Sequence, residues 1–139
     1  CNGHISYVIL SVSFFQPNFI INNYYKIMNK NFLKIAENLI AHSKDKNALA
    51  FIFKTKVHAI MVFYIYGSKK ITFENLCSAI NGTASRSTIQ SILIEGVKKN
   101  YIFKATDEKD KRQKYYNCNN LHTILEKWFL ENKAIFNLK

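Results

Sequence analysis

The stretch from Thr72 to Cys118, TFENLCSAINGTASRSTIQSILIEGVKKNYIFKATDEKDKRQKYYNC, limits what this chain can fold into more than any other. Within it, Phe73, Leu76, Cys77 and Ile80 recur at the three- and four-residue spacing that lines one face of a helix. The spacing predicts a helix over 73–80. Asn81-Gly82 then ends it, because both residue types tolerate the left-handed backbone of a helix stop. Ser85 offers a hydroxyl as the N-cap of a second helix, over 85–99, in which Ile89, Ile92, Leu93 and Val97 form the inner face. The outer face opens with Arg86, Ser87, Thr88, Gln90 and Ser91, short and polar and able to approach another surface closely.

Past that helix the periodicity changes. Asn100 stands where glycine commonly stops a helix, and Tyr101 to Thr106 is rich in aromatic and β-branched residues, as a strand requires. Asp107 to Arg112, DEKDKR, is too charged for a core and reads as a hairpin tip, with Gln113 to Cys118 returning as the second strand. Two helices joined by a tight turn and followed by a hairpin are the plan of a winged helix-turn-helix. In that plan the second helix enters the major groove of DNA, and the tip reaches the flanking backbone or minor groove.

The segments SRSTIQSIL, KKNYIFK and DEKDKRQKYY resemble the winged core of the MarR-type bacterial transcription regulators, over roughly residues 57–131. Members of that family have a similar Ser-x-Ser-Thr helix start and an Asp-x-Arg in the wing, which Asp110 and Arg112 match. The resemblance implies that Arg112 enters the minor groove and that Asp110 helps hold the wing. It also implies a cytoplasmic regulator that binds double-stranded DNA as a homodimer, with any small-molecule effector unknown. Gly96 departs from the large apolar residue usual late in the second helix, at about 1 kcal/mol relative to alanine. Asn100 departs from the usual glycine, and the sequence after the wing is shorter than the family's.

Composition supports an anionic partner. The formal net charge is +11, from 20 Lys and Arg against 9 Asp and Glu. Part of the lysine excess is what an A·T-rich genome writes. Arginine is more telling: Arg86 and Arg112 are the only two, and they fall on the two places where a winged helix touches DNA. The candidate DNA-binding set is therefore Ser85, Arg86, Ser87, Thr88, Gln90 and Ser91 on the helix, with Lys109, Asp110, Lys111 and Arg112 on the wing.

Other chemistry finds no pattern. Cys1, Cys77 and Cys118 lie far apart without a C-x-x-C, and the four histidines (His4, His42, His58, His122) are scattered, which points to no metal and no cofactor. Cys77 reads as a small buried apolar residue, with a redox-sensing thiol as the sharper alternative. No glycine-rich phosphate loop, nucleophile–base set or carboxylate pair is legible, so the chain is not read as an enzyme. The alternative to a DNA-binding regulator is a winged helix used for protein contact or assembly.

The rest of the chain supplies scaffold. Asn29 to Ser43 reads as an amphipathic helix through Phe32, Ile35, Ala36, Leu39 and Ile40. Ala48 to Phe53 reads as a second helix, and Val57 to Tyr66, apolar nearly all round, as a third that backs the reading head. Gly67-Ser68 ends it, and Lys69 to Thr72 gives a short strand for the wing to pair with. Leu121 to Phe129 forms a last helix capped by Asn119 or Asn120, with Leu121, Ile124, Leu125, Trp128 and Phe129 on one side. Residues 1–27 are odd: the segment begins at Cys1 rather than Met, and its apolar stretch from Ile5 to Phe15 is broken by Gln16-Pro17-Asn18, too short for a membrane span of about 20 residues. Met28 is a natural start. The expected fold is thus mainly α with a small β-hairpin (α+β): an N-terminal extension of uncertain status over 1–27, and one winged helix-turn-helix domain over 28–139. The apolar helices at its two ends, together with Ile135, Phe136 and Leu138, would serve dimerisation.

Overall fold

Four of the helices start from side-chain caps. The computed structural model describes residues 19–136. Cys1, His4, the stretch from Ile5 to Phe15 and Leu138 lie outside them. The described elements run α1 (Phe19–Lys44), α2 (Ala48–Ile52), α3 (Lys56–Gly67), β1 (Ile71–Thr72), α4 (Phe73–Ala79), α5 (Arg86–Lys98), β2 (Phe103–Thr106), β3 (Lys114–Asn117), a 3-10 turn (Asn119–Leu121) and α6 (His122–Phe136). Asn47, Thr55, Thr72 and Ser85 each turn a side-chain oxygen onto the backbone N–H three residues on, at the starts of α2, α3, α4 and α5. Each thereby satisfies a donor that the helix geometry would otherwise orphan.

The chain divides into two compact units, Leu39–Glu131 and the two chain ends, up to Asn38 and from Asn132. In Leu39–Glu131 the core is a single cluster. Ile52, Met61, Val62, Ile65 and Leu76 are completely shielded from solvent, and Ile89, Leu93, Ile102, Leu121 and Leu125 pack with them. The buried residues of α3 are His58, Met61, Val62 and Ile65, so this helix is apolar because it fills the centre. The sheet has the order β1-β3-β2, antiparallel throughout, with Ile71 opposite Tyr116 and Lys104 opposite Tyr116 on the other side. Helix, tight turn, helix and wing, with β1 closing the sheet, make this a winged helix-turn-helix.

Several boundaries differ from expectation, each for a local reason. The first helix of the pair stops at Ala79, with Ile80 as its C-cap. Of Asn81 and Gly82 only Gly82 takes the left-handed backbone, at φ 83°. After α3 it is Lys69, at φ 66°, rather than Gly67-Ser68, that makes the left-handed turn. Asn100, at φ 63°, does take the conformation for which glycine is usual. The strands are shorter than expected, β2 beginning at Phe103 and β3 covering Lys114–Asn117. Neither Asn119 nor Asn120 caps the last helix: Asn120 donates to the Asn100 carbonyl at 3.2 Å, and Leu121 belongs to the 3-10 turn. Gly96 is no defect. A Cβ there would stand 2.5 Å from Ile102 Cδ1 and 2.8 Å from Cγ1, so the missing side chain lets β2's approach strand lie on α5.

The described chain ends are helical. α1 starts at Phe19, so the boundary expected at residue 27 falls inside it. Its expected apolar face stays largely in solvent, Phe32 at 59% and Ile40 at 54% exposed. On α6, Leu125 is buried and Ile124 and Trp128 are packed against the core, whereas Phe129, expected on the inner side, is 58% exposed.

Candidate nucleic-acid interface

The first turn of α5 is built from hydroxyls. Ser85 Oγ accepts from Thr88 N at 3.2 Å and lies 3.0 Å from Ser87 Oγ and 2.9 Å from Thr88 Oγ1. The inner face of the same helix is fixed by Ile89, Ile92 and Leu93 in the core, which turns Ser85, Arg86, Ser87 and Ser91 outward, all exposed. Gln90, half-buried, faces the wing. It lines one cleft with Glu74 of α4 and with Lys104, Arg112, Lys114 and Tyr116 of the wing. Helix and hairpin therefore bring Gln90 and Arg112, expected from separate segments, to one surface.

The wing tip is shaped by its own carboxylates. Asp107 accepts from Lys109 N at 3.1 Å, and Asp110 accepts from Arg112 N at 3.0 Å and from Arg112 Nε at 3.3 Å. The backbone closes with Asp107 N donating to Gln113 O at 3.0 Å and Gln113 N to Asp110 O at 2.9 Å. Acidic residues of DEKDKR thus serve the turn, and Lys109, Lys111 and Arg112 face outward. Arg112 is 93% exposed. At the base of the wing, Lys114 Nζ donates to Thr106 Oγ1 at 2.8 Å, and Lys70 sits 4.9 Å over the Tyr115 ring.

Arg86, exposed as expected, also has a partner from another helix. Its guanidinium donates from Nη2 to Glu74 Oε1 at 2.7 Å and from Nη1 to Oε2 at 3.0 Å, and lies 5.0 Å over the Phe73 ring. Charge-assisted pairing of this kind is strong and planar. The hydrogen bond from Arg86 lowers the Glu74 pKa, and the reciprocal bond raises that of Arg86, so both stay charged. A contact from Arg86 to guanine or phosphate has to compete with Glu74. Sequence reading missed Glu74, Lys104 and Lys114. Glu74 and Arg86 are twelve residues apart on different helices, a separation for which no periodicity rule exists.

Behind the reading face a second ion cluster ties α5 to α3. His58, 6% exposed, has Nδ1 2.7 Å from Thr55 Oγ1 and Nε2 3.1 Å from Glu95 Oε1. The carboxylate has no proton to give, so Nε2 carries the hydrogen. Glu95 also accepts from Lys54 Nζ at 3.0 Å. The Lys54 hydrogen bond, joined by that from His58, holds its pKa below the ordinary carboxylate value.

Both described cysteines are buried. Burial raises the thiol pKa of Cys77 and pushes that of Cys118 up to about 12, which keeps them protonated and weakly nucleophilic. Cys77 is part of the core of α4, as its apolar spacing suggested. Among the described residues no helix is long and apolar enough to cross a membrane.

No family model matches the chain. No curated protein matches it. Among solved structures it is similar to the S. aureus MepR G34K mutant, at 16% identity over 78% of this chain and 75% of that one, with a TM-score of 0.49. It is similar to the multiple antibiotic resistance repressor MarR at 17% identity, over 84% and 81% of the two chains, with a TM-score of 0.45. For the adhesin competence repressor AdcR from Streptococcus pyogenes the identity is 14%, the shares 81% and 84%, and the TM-score 0.43. The fold itself is read from the helix pair and hairpin described above.

Proposed function

We propose that this chain is a DNA-binding transcription regulator of the MarR type, acting on double-stranded DNA in the bacterial cytoplasm. Residues 85–99 dock in the major groove, and the wing, residues 107–112, lies over the minor groove or backbone. The observation that carries this reading is the shared cleft: Gln90 and Arg112 line one surface together with Lys104 and Lys114. The amides at the start of α5 suit a phosphate, and Gln90 is long enough to pair with adenine. Arg112, 93% exposed and paired with Asp110 of its own tip, suits the narrow, electronegative minor groove of A·T-rich flanks. The reading includes a homodimer built from the chain ends, supported by the exposed apolar residues Phe32, Leu33 and Ile40 of α1 and Phe129 and Leu130 of α6.

A second reading, a winged helix that contacts protein, is favoured by Ile94 and Phe103, exposed at 59% and 55% on the reading helix and on the wing. Selection of bound duplexes from a random pool, followed by fluorescence anisotropy across a salt series, separates the two. A regulator selects one sequence and loses affinity steeply with salt. Gln90→Ala is expected to weaken the selected site by about 1–3 kcal/mol and relax base choice at one position. Lys109→Ala weakens all duplexes alike, and Arg112→Ala weakens A·T-flanked sites more than G·C-flanked ones. Absence of salt-dependent binding by the parent chain gives the protein-contact reading the case.

A further inference from the structure

The surface that carries Gln90 and Arg112 also carries a carboxylate. Glu74, in the first turn of α4, lines the same cleft and meets Arg86 fork to fork, while the Phe73 ring lies under the guanidinium at 5.0 Å. Two parallel hydrogen bonds and a ring hold the guanidinium of Arg86 against α4. Burial does not call for the pair, since the side chains are 60% and 71% exposed. A surface made only to attract a polyanion gains nothing from this carboxylate: it repels phosphate, and it fills the fork of the cation beside it.

We propose that Glu74 is a specificity-determining residue, which withholds Arg86 from the phosphates of non-matching duplexes and so leaves discrimination to Gln90 and the wing. The inference rests on the DNA-binding reading above. Phosphate contacts form on any sequence, whereas base contacts form on the right one. An arginine already neutralised by a carboxylate releases no condensed counterion when a duplex arrives, so Arg86 is absent from the salt dependence of binding. Freed, it adds one contact to every duplex alike.

The test uses the full chain, with anisotropy on the selected and a scrambled duplex across a salt series. Glu74→Gln keeps the side chain's length and removes its charge. It is expected to raise affinity for the scrambled duplex about fivefold, to raise that for the selected duplex less, and to steepen the log–log salt slope by about one unit. Arg86→Gln in the parent leaves the slope unchanged. In the Glu74→Gln background the same change returns the slope to the parent value, which a general effect of net charge does not do. Glu74→Gln with unchanged scrambled affinity and slope overturns the proposal, as does Arg86→Gln alone if it flattens the slope by a full unit. Absence of salt-dependent binding in the parent instead overturns the DNA reading itself, so the two failures are distinguishable.

Discussion

Two parts of the reading head are held in opposite ways. Helix α5 is fixed from far along the chain: its core face meets α3 and α4, Gly96 is pressed by Ile102, Glu95 is tied to His58 and Lys54, and Arg86 to Glu74. The wing tip is fixed from within, by Asp107 and Asp110 accepting from backbone N–H groups two residues ahead. The helix is therefore expensive to alter and the tip cheap. On the DNA-binding function proposed above, a rigid element would present the groove-reading side chains at a set angle, and an exposed tip would settle against whatever backbone it meets.

The largest expected effect tests that contrast directly. Leu93, 1% exposed at the centre of α5's inner face, should destabilise the fold by about 2–5 kcal/mol when truncated to alanine, through lost transfer energy and a residual cavity. Lys111→Ala at the exposed tip should stay within about 0.5 kcal/mol. Chemical denaturation of the two variants measures both, and equal losses would remove the distinction between helix and wing.

Gly96→Ala sharpens it. Alanine is the better helix former by about 1 kcal/mol, and on a free helix it would stabilise. Here the new Cβ falls within 3.0 Å of two Ile102 side-chain atoms and 3.2 Å from Phe51 Cζ, and Ile102 is 2% exposed with nowhere to go. Overpacking of this kind costs about 1–3 kcal/mol, so the net change is a destabilisation of about 1 kcal/mol. Ile102→Val, which removes the methyl at 2.5 Å, should recover part of it when combined with Gly96→Ala. A stabilised single variant would mean that strand and helix are not in close contact.

The ion cluster behind α5 gives a smaller, pH-dependent effect. Because the folded pKa of Glu95 lies below its unfolded value, its contribution is fully present above the ordinary glutamate value of about 4.3 and is lost as pH falls through the depressed folded value. Glu95→Gln keeps an acceptor for His58 and removes the charge, so the loss at neutral pH should be about 0.5–1 kcal/mol. The gap between variant and parent should close toward pH 3. Thermal midpoints between pH 3 and 7 check this, and a gap that widens on acidification has the wrong sign.

What the sequence disclosed follows the same division. Caps and turns act over two to four residues, so Ser85, Asn100 and the DEKDKR tip were legible, as were the inner faces of α4 and α5 from helical spacing. The pairing of a short strand with the wing was legible because such a strand next to a helix pair has few other partners, although only Ile71–Thr72 of the expected Lys69–Thr72 pair. What was not legible is set by packing across elements. Gly96 looked like a propensity penalty until Ile102 stood against it. His58 looked scattered until folding put Glu95, thirty-seven residues on, beside it. The partner of Arg86 was hidden in the same way: Glu74 belongs to α4, twelve residues back. The start of the first helix failed for a different reason: Ile21, Tyr25 and Met28 carry the stripe of Phe32, Ile35 and Leu39 back toward Phe19, and the expected start at Asn29 left that continuation unused.

The smallest effect concerns Asp110, which the family resemblance casts as holding the wing. Its Oδ1 serves two partners, Arg112 N at 3.0 Å and Arg112 Nε at 3.3 Å, and these have different worth. The backbone bond shapes the turn and needs only an oxygen. The side-chain pair involves a nearly fully exposed arginine and contributes little in water. Asp110→Asn keeps the oxygen and drops the charge, so stability should not change measurably, and affinity for an A·T-flanked duplex should rise slightly as Arg112 is released. Asp110→Ala removes the oxygen as well, with a loss of about 0.5–1 kcal/mol from the tip and a weaker hold on the same duplex as the wing loosens. Thermal midpoints and anisotropy on the same pair of variants read the two roles separately. If asparagine and alanine behave alike, the ion pair rather than the turn bond is what Asp110 supplies, and the tip is not held from within.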